Sequence, residues 1–211
     1  MARTGLVALF AAALFVAPPP AGAAPPSRMP GVQALDAGER QALEGGATVS
    51  RPVRFERGEG SYIGGVAYQV VNASPARVLA ALSDVGALPR ALPRTERATL
   101  VSRDGRRTRI ELVQGKAPFL ATYTLNLEQE SAERIRFWLD PTRPHDVKDV
   151  WGYFRVKPFG KNKTLVTLAV ALDMGPGLAR WLLSDRVERI ILRAPGKIRE
   201  YVEPERLTSA R

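Results

Sequence analysis

The chain has no cysteine and a single histidine among its 211 residues. Without thiols there can be no disulfide, no zinc–thiolate site, no thiol nucleophile and no cysteine-borne lipid anchor. With His145 as the only imidazole, a metal would have to be held by carboxylates, and Asp84, Asp146, Asp149 and Asp173 have no ligand-like spacing. Neither a nucleophile elbow of the G-x-S-x-G type nor a phosphate-cradling glycine loop is present. The sequence therefore predicts no catalytic cluster, no metal site and no cofactor. His145 lies in Pro141-Thr142-Arg143-Pro144-His145-Asp146. A general acid/base role with Asp146 or Asp149 is the sharper reading, but neighbours in a loop seldom hold a fixed dyad, so His145 is read as a polar loop residue.

What is present starts with an apolar run, Gly5 to Ala17, after the single positive charge of Arg3. Pro18-Pro19-Pro20 ends any helix there, and Ala21-Gly22-Ala23 supplies small residues at the end. The run is too short for a membrane span. Residues 1–23 are expected to be a secretory signal peptide cleaved after Ala23, placing the protein in a periplasm or outside the cell. A chain without disulfides in such a compartment must be stabilised by its core, and 45% hydrophobic residues suffice for one.

The formal net charge is +10, and removing Arg3 with residues 1–23 leaves +9. The arginines come in groups, such as Arg51, Arg54, Arg57 and Arg103, Arg106, Arg107, Arg109, interleaved with acids. This reads as a solvated basic surface; peripheral contact with an anionic membrane is the sharper alternative. Export and the lack of a stacking platform in a basic groove argue against a nucleic-acid partner.

The pattern beyond the leader is α+β. Ala34 to Leu43 is a short helix stopped by Gly45-Gly46, and Thr48 to Phe55 is extended, with Pro52 marking an edge. Gly58, Gly60, Gly64 and Gly65 are read as turns, and Val66 to Val71 as a strand. Ser74 then caps a short helix with Pro75 at its first position. Strand patterns follow over 97–103, 107–113, 121–128, 134–140, 147–157 and 163–174, the first two joined by Asp104-Gly105, a hairpin signal. One long amphipathic helix is expected from Leu178 to Val202, kinked at Pro195, with an apolar stripe that includes Trp181, Val187, Ile191, Ala194 and Ile198. An antiparallel meander followed by a helix that must bury its stripe leaves that helix nowhere to pack but on the sheet.

The strand Val66 to Val71, the Asn72-Ala73-Ser74-Pro75 turn, Val78-Leu79-Ala80-Ala81-Leu82-Ser83-Asp84, the segment Val150-Trp151-Gly152-Tyr153-Phe154 and the closing helix together resemble START-like (SRPBCC) domains, the superfamily of polyketide cyclase/dehydrase-like and coenzyme Q-binding proteins. The resemblance implies a helix-grip fold, a curved antiparallel sheet around a C-terminal helix, over residues 64–203. It leaves 24–63 as an N-terminal extension and 204–211 as a tail. It also implies a cavity between sheet and helix for a lipid, sterol, polyketide or isoprenoid. Tyr and Trp carry a polar tip that needs a partner when buried, so Tyr123, Trp138, Trp151, Tyr153 and Trp181 are the expected lining. Phe137 and Phe154 are read as core. Arg109 and Glu111 are read as an exposed ion pair, or else the polar end of the cavity. The functional expectation is an exported, monomeric protein that carries or sequesters a hydrophobic small molecule or lipid. The alternative is a cyclase/dehydrase-type enzyme acting on a polyketide-like substrate in the same cavity.

Overall fold

The computed structural model of the protein describes residues 29–176 and 178–203, without the side chains of 178–183. The expected signal peptide, the tail and the side chain of Trp181 lie outside the described residues. Eight antiparallel strands form one curved sheet in the order β1-β2-β8-β7-β6-β5-β4-β3. They are β1 Val49–Arg57, β2 Gly60–Val71, β3 Thr95–Asp104, β4 Arg107–Lys116, β5 Phe119–Ser131, β6 Arg134–Leu139, β7 Asp149–Pro158 and β8 Thr164–Asp173. Helix α1 spans Ala37–Glu44, α2 Pro75–Ser83, α3 Leu88–Ala91, α4 Leu178–Leu192 and α5 Ala194–Val202. This is the α+β helix-grip arrangement expected from the sequence.

Local chemistry explains the boundaries. Asp36 accepts from the Glu39 amide while Glu39 reaches back to the Asp36 amide, a reciprocal cap that starts α1. Ser74 caps α2, with Pro75 where a missing N–H costs nothing. The expected single closing helix is two helices. Pro195 has no N–H to offer the carbonyl one turn back, so α4 ends at Leu192 and Pro195 sits in the first turn of α5.

Gly64 and Gly65 are not turn residues; they lie inside β2, which begins at Gly60. At Gly64, φ is +147° and a Cβ would sit 2.0 Å from the Val170 carbonyl oxygen of β8, so only glycine lets the strands pair here. Strand β1, with Pro52, is an edge, and the 24–63 segment supplies both β1 and the start of β2.

The central strands are buried on both faces, so successive side chains enter different cores. The outer face carries Tyr62, Val66, Tyr68 and Trp151 and is covered by Met29, Leu35 and Leu43. Arg51 ties that cover down. Its guanidinium donates to the carbonyls of Gln33 and Ala34 at 3.1 and 3.0 Å and to both Glu39 carboxylate oxygens, and it lies 5.6 Å from the centre of the Tyr68 ring. The hydrogen bond from Arg51 holds the Glu39 carboxyl below its ordinary value of 4.5.

Arg51→Ala unties the cover, leaving these carbonyls to water, and is expected to lower stability by about 1 kcal/mol; Arg51→Lys should not restore it, since an ammonium cannot span the same acceptors. A group whose pKa is depressed by folding contributes stability above its unfolded value and loses it as pH falls through the folded value. Urea midpoints should therefore fall more steeply below pH 4.5 in the wild type than in Glu39→Gln. Equal slopes would show that the pair contributes nothing.

Candidate functional site

Inner-face register decides what lines the space under the C-terminal helices. Ile63 and Ala67 of β2, Ile110 and Leu112 of β4, Tyr123 and Leu125 of β5, Phe137 and Leu139 of β6 and Leu168, Val170 and Leu172 of β8 form one cluster with Val187, Ile191 and Leu192 of α4. Helix α5 closes one end of this face. It packs on β2, β8, α2 and α3, and Val71, Val78, Val156, Val166 and Ile198 have no exposure there. Helix α4 instead leans over the β1–β2 edge. Arg54 of β1 fastens it, donating to Glu188 at 3.0 Å and to Asp185 at 2.5 Å.

From β2 to β5 is four strand spacings, about 19 Å along the sheet, whereas a helix with its side chains is about 10–12 Å across. Among the described residues the backbone of α4 approaches β2 and β1 most closely. Tyr123, Leu125 and Phe137 are buried in this cluster, whereas Ala98, Ala121, Leu127 and Phe154 of the same face are only partly buried. The inner face is sealed beneath α5, and the apolar stretch of it beside α4, where the partly buried side chains lie, is the trough taken as the candidate site.

One polar group interrupts it. The Tyr123 hydroxyl donates to Gln114 Oε1, and Gln114 Nε2 donates to Thr95 Oγ1 at 2.7 Å. Burial pushes the Tyr123 phenol well above its ordinary value of 10.0, so it stays neutral.

The expected lining residues divide between the two faces. Tyr123 is on the inner face. Trp138, Trp151 and Tyr153 are on the outer face with Tyr62 and Tyr68, away from the trough, and that expectation is corrected. On β7 the inward register belongs to Val150, Gly152 and Phe154. Trp151 meets Phe55 and Tyr62 edge-on, each at 6.3 Å, while Trp138 lies between Arg107 and Arg136 and Tyr153 beneath Arg134. Trp181 is in α4, with its side chain outside the described residues. Phe137, read as core, is buried in the inner core cluster, and Phe154 packs against it.

Arg109 and Glu111 are not paired with each other and lie on the outer face. Arg109 meets Ser102 and Asp140, and Glu111 meets Arg97 and Arg143. His145 is exposed, with Nδ1 donating to the Val147 carbonyl at 2.7 Å, while Asp146 accepts the Thr122 amide, so the two form no dyad. Among the described residues no group of three or more His, Asp or Glu is placed to hold a metal, and no helix is long and apolar enough to cross a membrane. An open depression of about 550 Å³ lies at the other end of the sheet, lined by Glu44, Phe159, Gly160, Lys161 and Lys163, and takes no part in the trough.

Gln114 and Thr95 escaped the sequence reading. The signal for Gln114 was present: it follows Ile110 and Leu112 at period two, a polar side chain in an inward register. Thr95 had none, because a bulge between Thr95 and Arg97 shifts its parity.

A curved antiparallel sheet closed by C-terminal helices over an apolar trough defines a START-like, helix-grip protein. Residues 66–203 match the sequence profile of the family described as "Polyketide cyclase / dehydrase and lipid transport", and the chain belongs to that family. Among solved structures, it resembles a Thermus thermophilus protein at 22% identity and TM-score 0.57, covering 69% of this chain and 98% of that one. It also resembles the Zhui aromatase/cyclase of a Streptomyces species, at 16% identity, TM-score 0.55 and coverage of 77% and 97%. A STAR-related lipid transfer protein fragment from Xanthomonas axonopodis matches at 14% identity, TM-score 0.57 and coverage of 72% and 98%. These likenesses are of fold. No curated protein sequence matches the chain.

A tyrosine whose pKa is raised by folding contributes stability below its unfolded value and loses it as pH rises beyond. Tyr123 and Tyr62 are both raised, chiefly by burial. Stability should therefore fall as pH climbs above 10.0, and Tyr123→Phe should make that fall shallower. Thermal melts of both proteins across this range check it; parallel curves would refute the burial of a neutral phenol.

Proposed function

We propose that the protein binds a hydrophobic small molecule or lipid in the trough between the inner sheet face and α4, and carries or sequesters it. The observation that carries this reading is the asymmetry of the inner face. It is sealed under α5, while elsewhere several of its apolar side chains, among them Ala98 of β3, Ala121 of β5 and Phe154 of β7, are only partly buried. Exposed apolar surface in a concave, water-filled space favours an apolar ligand by about 25 cal/mol per Å² removed from water. The family description, which names both lipid transport and polyketide cyclisation, supports the same chemistry. A cyclase/dehydrase reaction in this trough is the second reading, which the same family description favours.

Filling the trough tests the binding reading. Leu125→Trp adds bulk on its floor and is expected to weaken binding of a neutral apolar fluorophore such as 1-aminoanthracene at least about tenfold, equivalent to about 1.4 kcal/mol. Trp151→Phe changes the outer face and should leave that affinity as in the wild type. The reading fails if Trp151→Phe is the more damaging change, or if native mass spectrometry of protein from its own host shows no bound molecule and the fluorophore does not bind.

Export is part of the same proposal. The apolar run of Gly5 to Ala17, the prolines after it and Ala21-Gly22-Ala23 support cleavage after Ala23. Protein recovered outside the cytoplasm should begin at Ala24 by N-terminal sequencing, and recovery of an uncleaved cytoplasmic chain would contradict it.

A further inference from the structure

The trough is apolar except at Thr95, Gln114 and Tyr123, and the hydrogen-bond directions there leave particular valences free. Tyr123 spends its proton on Gln114 Oε1, and Gln114 spends one amide proton on Thr95 Oγ1. The second amide proton of Gln114, the hydroxyl proton of Thr95 and a lone pair on Tyr123 Oη remain. Thr95 and Tyr123 are buried and Gln114 partly buried, and all three stand in the inward register of β3, β4 and β5, on the face that forms the trough. Two free donors and one acceptor suit an oxygen. A carbonyl accepts from Gln114 and Thr95, and a hydroxyl can also donate to Tyr123.

The group the trio receives must be neutral. Its own members are a phenol held in its protonated form, an amide and an alcohol. Arg97 and Arg109 on the flanking strands turn to the outer face, where they meet Glu111 and Asp140. Arg54, at the far edge, is committed to Asp185 and Glu188. Lys116 follows Gln114 in register but is exposed at the end of the β4–β5 hairpin. Arg94, beside Thr95, is exposed, so among the described residues a buried carboxylate or phosphate finds no counter-charge at the trio, and an unpaired buried charge is disfavoured far more than a neutral oxygen.

We propose that Thr95, Gln114 and Tyr123 form the polar subsite of the trough, and that the ligand is an apolar molecule bearing an uncharged oxygen there, a ketone, ester or alcohol, and not a fatty acid or phospholipid head. This rests on the trough being the binding site. An amine, which lacks the acceptor strength for two donors once protonated, is disfavoured for the same reason.

The test displaces 1-aminoanthracene from the full chain with four twelve-carbon ligands: dodecane, decyl methyl ketone, dodecanol and dodecanoate. The ketone and alcohol should bind about tenfold tighter than dodecane, the factor one net hydrogen bond supplies, and tighter than dodecanoate. Gln114→Leu should bring the ketone down to the level of dodecane. Thr95→Val, a near-isosteric change, should lose part of the preference and serves if Gln114→Leu does not fold. Equal affinity for ketone and dodecane, an unaltered preference in both variants, or dodecanoate binding tightest overturns the subsite while leaving the apolar trough standing. Failure of every ligand and of the fluorophore overturns both.

Discussion

The structure depends on one constraint: in a sheet covered on both sides, side chains alternate between two separate interiors. Along β2 the sequence Tyr62, Ile63 and Val66, Ala67 and Tyr68 sends neighbours in turn to the outer and inner cores. Such a strand is stable only if both covers are present. The inner cover is the pair of C-terminal helices. The outer cover is the segment from Met29 to Leu43, held by Arg51 across the edge strand. The N-terminal extension is thus a working layer of the domain. Without it, Tyr62, Tyr68 and Trp151 would face water.

The inner cover is uneven, and the unevenness makes the site. Pro195 divides what would have been one helix, so α5 and α4 need not lie in the same groove. Gly196 brings α5 close to Thr48 and Gln69, and α5 seals the sheet around Ile198. The other helix, α4, is held at the β1 edge by Arg54. Glu188 is buried while Arg54 is half exposed, so the guanidinium works from the rim, holding a helix over an edge instead of over the middle. The basic character of the chain is absorbed elsewhere. On the outer face Glu128 and Glu130 lie between Arg107, Arg134 and Arg136, a ladder of ion pairs and ring contacts.

Much of this was legible in the residues. Strand alternation, the Asp104-Gly105 hairpin, the Ser74-Pro75 helix start and the edge position announced by Pro52 all depend on neighbours within a few positions, and each is found where the local chemistry puts it. Gly64 and Gly65 misled because glycine marks a turn and a close strand contact equally well. Only the approach of the Val170 carbonyl, more than a hundred positions away, distinguishes the two. The aromatic residues misled for a related reason. Trp138, Trp151 and Tyr153 have the amphipathic character of a ligand wall, but the same character serves an outer face where indole and phenol rings lie beneath arginines.

By itself the sequence determined the strands, their caps and turns, the lack of thiol chemistry, and membership of a helix-grip family. These follow from period, composition and short-range hydrogen bonding. The tertiary structure alone decided which half of each strand's alternation is the inside of the trough. Alternation is symmetric: it separates Trp151 and Tyr153 from Gly152 and Phe154 without saying which pair faces the helix. That symmetry is broken by partners distant in the chain, the Met29–Leu43 cover on one side and, on the other, a helix fastened by Arg54 to Glu188, 134 positions away. The same long-range choice turned Gln114 inward beside Tyr123 and so placed the one polar group in an apolar floor.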